Sequence, residues 1–143
     1  MSGYLLDTNI VSEYSKPSPP SPIVSRWVDA QDEDTLHLSV LTLGEIRKGT
    51  TLLPPGSKHS YLERWLEVEL PARFASRLLI INGEIAETWG AMAGYAQLNG
   101  IAMPAIDGLI AATAKFHGLT IVTRNVKDYR IWEVPVLNPW DSA

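Results

Sequence analysis

Tyr4-Leu5-Leu6-Asp7-Thr8-Asn9 is the stretch on which the fold turns. Three consecutive apolar residues are too few for a helix face and suit a short buried strand. Asp7 closes the run, and Thr8-Asn9 puts turn-forming side chains at the carboxyl end of that strand. A second apolar, β-branched run at 119–122 ends in the same manner, on Thr123-Arg124-Asn125. Short buried strands that finish on polar turns are the units of a sheet covered on both faces.

The chain on either side supplies the helices. Lys16-Pro-Ser-Pro-Pro-Ser-Pro22 reads as a stiff surface loop, since too little chain precedes it to form a domain. Ser21 as N-cap and Pro22 as first helical residue open a helix through residue 30, and the acidic run 29–34 reads as a solvated turn. Residues 36–39 form a second strand. Leu43, Ile46 and Arg47 follow at helical spacing, with Gly49 near the helix end or a bend. Residues 58–70 place Leu62, Trp65, Leu66 and Leu70 on one side of an amphipathic helix. A strand over 78–81 leads to Asn82, which caps a helix carrying Ile85, Trp89, Met92 and Ala96 and stopping near Gly100. Pro104 begins another helix that buries Ile106, Leu109, Ile110, Thr113 and Ala114 and ends at Gly118; residues 134–137 give a last strand. Strands alternating with helices define an α/β chain with a parallel sheet.

Composition narrows the function. With 143 residues, 45% hydrophobic and 20% charged, the chain reads as one globular domain over 1–143. A chain of this size buries about 70% of its unfolded surface. The absence of cysteine excludes disulfides and thiolate metal sites and points to a reducing, cytoplasmic setting. A formal net charge of −4 argues against a strongly basic, sequence-independent nucleic-acid binder and leaves room only for a local basic rim. The most apolar long stretch, 101–114, is interrupted by Pro104 and Asp107 and is too short to span a bilayer.

Four acids and an amide carry the chemistry. In a parallel sheet, ligands gather at the carboxyl ends of the strands. Asp7 and the Thr123-Arg124-Asn125 turn occupy two such ends, with Asp128 three residues further on. Glu45 lies early on the helix after the second strand, and Asp107 lies in the first turn of its helix. Taken singly, each has a plainer use: a turn, a helix-terminus charge, a solvated side chain. Taken together they suit a hard divalent cation, which relieves the repulsion of crowded carboxylates and needs only two of them directly. Such an ion activates water and neutralises a phosphoryl oxygen, the chemistry of a metal-dependent nuclease. Scattered His37, His59 and His117 form no zinc pattern, and neither a nucleophile elbow nor a phosphate loop is present.

These residues resemble a known family. Leu5-Leu6-Asp7-Thr8-Asn9-Ile10-Val11-Ser12-Glu13 looks like the opening of the PIN-domain ribonuclease toxins of the VapC/FitB type. Ser39-Val-Leu-Thr-Leu-Gly-Glu45-Ile, Ala105-Ile-Asp107-Gly-Leu-Ile and Val122-Thr-Arg-Asn125-Val-Lys-Asp128-Tyr129 resemble the later motifs, and Leu137-Asn-Pro-Trp140 the ending of the FitB branch. The resemblance implies a PIN-like three-layer α/β/α sandwich with a five-stranded parallel sheet. It implies Mg²⁺- or Mn²⁺-dependent cleavage of RNA, such as tRNA or another structured RNA, leaving a 5′-phosphate and a 3′-hydroxyl.

On this resemblance Asp7 and Asp107 are the metal ligands and Glu45 completes the acidic pocket. The fourth position stays open between Asn125, where some relatives carry aspartate, and Asp128. Thr8 and Thr123 would support Asp7 or a metal-bound water, and Arg124 and Lys127 would meet substrate phosphates. The implied partners are a cognate antitoxin and a second copy of the chain, with a hetero-oligomer including the antitoxin on operator DNA. A catalytically silent PIN-fold module that binds RNA or protein is the competing reading. A haloacid-dehalogenase-type phosphatase is disfavoured because Asn9 stands where its second aspartate belongs.

Overall fold

Leu5 pairs with Ile121 and Leu6 with Val122 along two parallel strands, β1 (Tyr4–Leu6) and β4 (Thr120–Val122). Successive strand residues point to opposite faces, so this register sorts the core into two halves. Leu5 and Ile121 join Ile85, Ile110 and Tyr129 on one side of the sheet. Leu6 and Val122 join Ile10, Val24, Leu36 and Phe74 on the other. The computed structural model describes residues 2–142.

Among the described residues five strands form one parallel sheet in the order β3-β2-β1-β4-β5, with β2 at Leu36–Ser39, β3 at Leu78–Leu79 and β5 at Val136–Leu137. The order places β1 at the centre. Strand order reverses on either side of it, and such a switch point opens a crevice at the strand ends. The helices are α1 (Thr8–Val11), α2 (Pro22–Asp29), α3 (Val40–Leu52), α4 (Ser57–Arg64), α5 (Leu70–Phe74), α6 (Gly83–Leu98) and α7 (Ala105–His117). The expected α/β architecture with a five-stranded parallel sheet is the one observed. None of the described helices is long and apolar enough to cross a membrane.

Local signals fix several boundaries as expected. The Asn82 side chain accepts a hydrogen bond from the Ile85 N–H at 2.8 Å and caps α6. Gly118 ends α7 at φ +67°, in the left-handed region that glycine enters without a Cβ clash.

Other expectations give way to packing and proline chemistry. The helix expected over 58–70 divides into α4, a π-helical turn at Trp65–Glu69 and α5. Pro71 has no N–H to offer Glu67, and the Leu70 N–H bonds the Trp65 carbonyl instead. Gly49 lies near the helix end, as expected, in the last turn of α3, which runs on to Leu52 and stops before Pro54-Pro55. Ser21 stands at the N-cap of α2 without a capping bond from its side chain, and its N–H donates to Glu13 Oε1 at 2.9 Å. The acidic run is more than a solvated turn. Asp32 caps a short 3₁₀ turn at Glu33–Thr35, and Glu33 pairs with Arg73 and Arg77. Ile106 is 36% exposed rather than buried, whereas Ala111 and Ala112 are fully buried. Strands β3 and β5 shrink to two residues each.

Candidate active site

Asp7 sits where the sequence places it, one residue past the central strand. Its N–H donates to the Val122 carbonyl at 2.9 Å, continuing the ladder between β1 and β4. The chain then turns into α1, and Asp7 Oδ1 accepts the Thr8 N–H at 2.9 Å as the N-cap. The side chain is nearly buried, at 8% exposure. A carboxylate so placed needs donors, and the neighbouring strand end supplies them. Thr123 Oγ1 donates to Asp7 Oδ2 at 2.9 Å. That hydroxyl in turn accepts from Asn9 Nδ2 at 3.1 Å and from the Asn125 N–H at 3.0 Å. Asn9 Oδ1 accepts the Arg124 N–H at 3.0 Å, which closes the bracket between the β1 and β4 turns.

The other acids arrive from separate elements. Ser39 caps α3 through the Leu41 N–H, and Glu45 lies in the second turn of that helix. Glu45 Oε1 accepts the Thr8 hydroxyl at 2.7 Å, so Thr8 holds Glu45 with its side chain and Asp7 with its backbone. Asp107 lies in the first turn of α7. The buried Tyr129 hydroxyl lies 3.2 Å from Asp7 Oδ2 and 3.5 Å from Asp107 Oδ1.

The electrostatics report how crowded the site is. Burial raises the Asp107 pKa above the ordinary carboxylate value, and the charges of Asp7, Asp128 and Glu45 push it further the same way. The Tyr129 hydroxyl works against them. Burial and the facing Asp7 and Asp107 carboxylates push the Tyr129 phenol well up, so it keeps its proton and acts as a donor. Three of the acids named from the sequence therefore act on the fourth, Asp107.

The remaining expected residues divide. Asp128 is exposed and adds its charge to the field at Asp107. The Asn125 side chain is also exposed and makes no capping bond to the 3₁₀ turn at Val126–Asp128. Its contribution is the backbone N–H on Thr123. The Arg124 guanidinium lies over the Trp140 ring, 3.9 Å from the centroid. Lys127 is exposed on the same turn. Lys115, on the same helix as Asp107, donates to the Trp132 carbonyl at 3.2 Å.

Three participants escape a reading of the sequence. Asn9 and Tyr129 lie inside the motifs that carry Asp7 and Asp128, and nothing in their spacing marks them as partners of Thr123 or Asp107. Lys58 is the third. It shares a cleft with Thr8, Ser12 and Glu45.

The donor set can be judged for a cation. Among the described residues no three carboxylates or imidazoles are gathered tightly enough to close a metal cage alone. Two carboxylates from different elements, Asp7 and Asp107, do meet across one hydroxyl. A hard, hydrated ion such as Mg²⁺ asks for no more than one or two protein carboxylates, so the pair fits it.

The PIN domain family matches residues 4–131. This chain belongs to the PIN-domain family. It is 38% identical to Toxin FitB of Neisseria gonorrhoeae over 136 residues, 95% of this chain and 97% of that protein. It is 32% identical to VapC ribonuclease Y4jK of Sinorhizobium fredii over 97% of this chain and 99% of that one. The crystal structure of FitAcB from Neisseria gonorrhoeae contains a chain that superposes with a TM-score of 0.85 at 38% identity, covering 96% of this chain and 98% of that one. A structure of FitAB bound to a DNA fragment matches with the same TM-score at 36% identity, over 96% and 95% of the two chains. The fold of this chain is thus shared with the toxin chain of those structures.

Proposed function

We propose that this PIN domain, acting as one unit over 1–143, is a Mg²⁺- or Mn²⁺-dependent endoribonuclease toxin restrained by a cognate antitoxin. The observation that carries the reading is the meeting of Asp7, Glu45 and Asp107 at the end of the central strand, in a chain similar to a VapC ribonuclease. Asp7 and Asp107 would hold the ion, with Glu45 completing the acidic wall. The bound ion supplies an activated water and offsets charge on the phosphoryl oxygen.

The chain's own residues do the rest. Thr123 and the Thr8 N–H hold the Asp7 carboxylate on both oxygens, so it is oriented before any ligand arrives. The Thr8 hydroxyl engages Glu45 Oε1, leaving Oε2 to orient the attacking water by hydrogen bonding. Asp128 adds negative charge at the rim next to Asp107, while Asn125 acts through its backbone on Thr123. Arg124, Lys127 and Lys58 would contact phosphates of the substrate. These contacts fix the register of the strand and carry no base preference.

The similarity to FitAB, one structure of which is bound to DNA, also supports two of the expected partners, an antitoxin and operator DNA bound by the joint complex. A second copy of the chain and a cytoplasmic setting belong to the same proposal. The deciding experiment incubates antitoxin-free protein with structured RNA and Mg²⁺ or Mn²⁺, with and without EDTA. Cuts that carry 5′-phosphate and 3′-hydroxyl ends and vanish with EDTA are expected. Persistent cutting in EDTA, or 2′,3′-cyclic phosphate ends, would contradict metal-assisted hydrolysis. Absence of any cutting by a protein that still binds RNA would mark a silent binding module.

A further inference from the structure

Tyr129 has a side chain of two parts with different surroundings. Its ring lies in the core beside Leu5, Ile110 and Ile121, and the residue is only 1% exposed. Its hydroxyl emerges from that core between two carboxylates on different elements, 3.2 Å from Asp7 Oδ2 and 3.5 Å from Asp107 Oδ1. A phenylalanine would fill the core equally well, so packing alone does not account for the hydroxyl.

We infer that Tyr129 is a positioning residue that sets the spacing and facing of the Asp7 and Asp107 carboxylates for the cation. The inference rests on the metal-dependent reading above. One phenolic proton between two anions offsets part of their repulsion, and a rigid ring anchored in the core fixes where that proton stands. Hydrogen-bond accounting gives the facing. Asp7 Oδ2 already accepts two hydroxyl groups, from Thr123 and Tyr129. Asp7 Oδ1 accepts only the Thr8 N–H and retains a lone pair. On Asp107, Tyr129 approaches Oδ1 and leaves Oδ2 without a protein donor. The hydrogen bonds thus leave Asp7 Oδ1 and Asp107 Oδ2 as the oxygens open to the ion. Partners that orient ligating carboxylates typically account for about 10–100-fold in metal affinity or activity.

The test compares wild-type protein with Tyr129→Phe, which keeps the ring and removes the hydroxyl. Calorimetric titration of the antitoxin-free protein with Mn²⁺ should give about a tenfold weaker Kd for the variant at unchanged stoichiometry. kcat on RNA should fall while KM stays within twofold. A merely structural role would leave Mn²⁺ affinity unchanged. A variant Kd within twofold of wild type overturns the inference. If wild-type protein binds no Mn²⁺, the metal reading fails on its own, and the hydroxyl bridge is decided by thermal unfolding without metal. Tyr129→Phe should lower Tm in wild type and lower it less in an Asp7→Asn, Asp107→Asn background, because hydrogen bonds to charged acceptors are about twice as strong as neutral ones. Equal shifts in both backgrounds would remove the bridge.

Discussion

Thr123 Oγ1 donates to Asp7 Oδ2 at 2.9 Å across the step between two adjacent parallel strands. The two residues are 116 apart in sequence, and the register of β1 on β4 brings them together. A fully buried hydroxyl that also accepts from Asn9 and Asn125 ties the β1 and β4 turns together at the carboxylate. Positioning of Asp7 is therefore a property of the sheet.

Thr123→Val removes this hub at nearly constant volume. The Asp7 carboxylate loses one donor, and the Asn9 amide and Asn125 N–H lose their acceptor. Cleavage should fall about 10–100-fold, the usual cost of losing a group that orients a metal ligand. Steady-state kinetics on an RNA hairpin check this, with circular dichroism confirming the fold. Thr123→Ser, which keeps the hydroxyl, should retain most activity.

Asp107 should make the metal-free protein less stable as pH rises. Its pKa is raised in the folded state, so across the window between the ordinary carboxylate value and the raised one the native protein holds more protons than the unfolded chain. Stability then declines as pH increases through that window and stays reduced at neutral pH. Asp107→Asn should accordingly raise Tm at pH 7 without metal, and the gain should vanish below the ordinary carboxylate range. Scanning calorimetry from acid to neutral pH, with EDTA present throughout, reads this directly. A Tm difference independent of pH would show that the crowding of acids is not its cause.

Asp128 and Asn125 can be ranked. Asp128 contributes charge at Asp107, whereas the Asn125 side chain is exposed and makes no capping bond. Asp128→Asn should reduce kcat on a scale similar to Glu45→Gln, and Asn125→Ala should be milder because the backbone N–H on Thr123 remains. The reverse order would put the Asn125 side chain next to the reacting groups.

Arg124 and Lys127 bear on substrate binding. With a net charge of −4, the chain cannot hold RNA by bulk attraction. Arg124→Ala together with Lys127→Ala should raise KM and reduce the slope of binding against salt by roughly one unit per lost phosphate contact. kcat at saturating RNA should change little, since the acids are untouched. Trp140→Ala should reproduce part of the KM effect by freeing the Arg124 guanidinium from its ring. An unchanged KM and salt slope in the double variant would move phosphate contact to Lys58.

Features set by local chemistry were legible in the sequence. The apolar runs ending on Asp7 and Thr123, the Asn82 cap and the Gly118 stop depend on neighbours within a few residues. Features set by long-range geometry were not. Ile106 follows a helical pattern, yet in the first turn of α7 it stays 36% exposed. The break at Trp65–Glu69 follows from Pro71, whose effect reaches back four residues into a pattern that reads as continuous. Asp7 could be named because it closes a buried strand, and Glu45, Asp107 and Asp128 because each lies in a motif that resembles the family. Tyr129 could not, because an aromatic residue after Asp128 reads as core, and its ring is indeed there. Only the placement of α7 over β1 and β4 shows that its hydroxyl reaches two of those acids.

The most direct measurement is RNA cleavage under Mg²⁺ by wild type, Asp7→Asn and Asp107→Asn proteins purified in parallel without antitoxin. Each substitution removes one ligand charge while preserving side-chain volume and a hydrogen-bond acceptor. Loss of cleavage in both variants, with folding and RNA binding retained, is the expected result. Wild-type cleavage rates in either variant would contradict a cation held between Asp7 and Asp107.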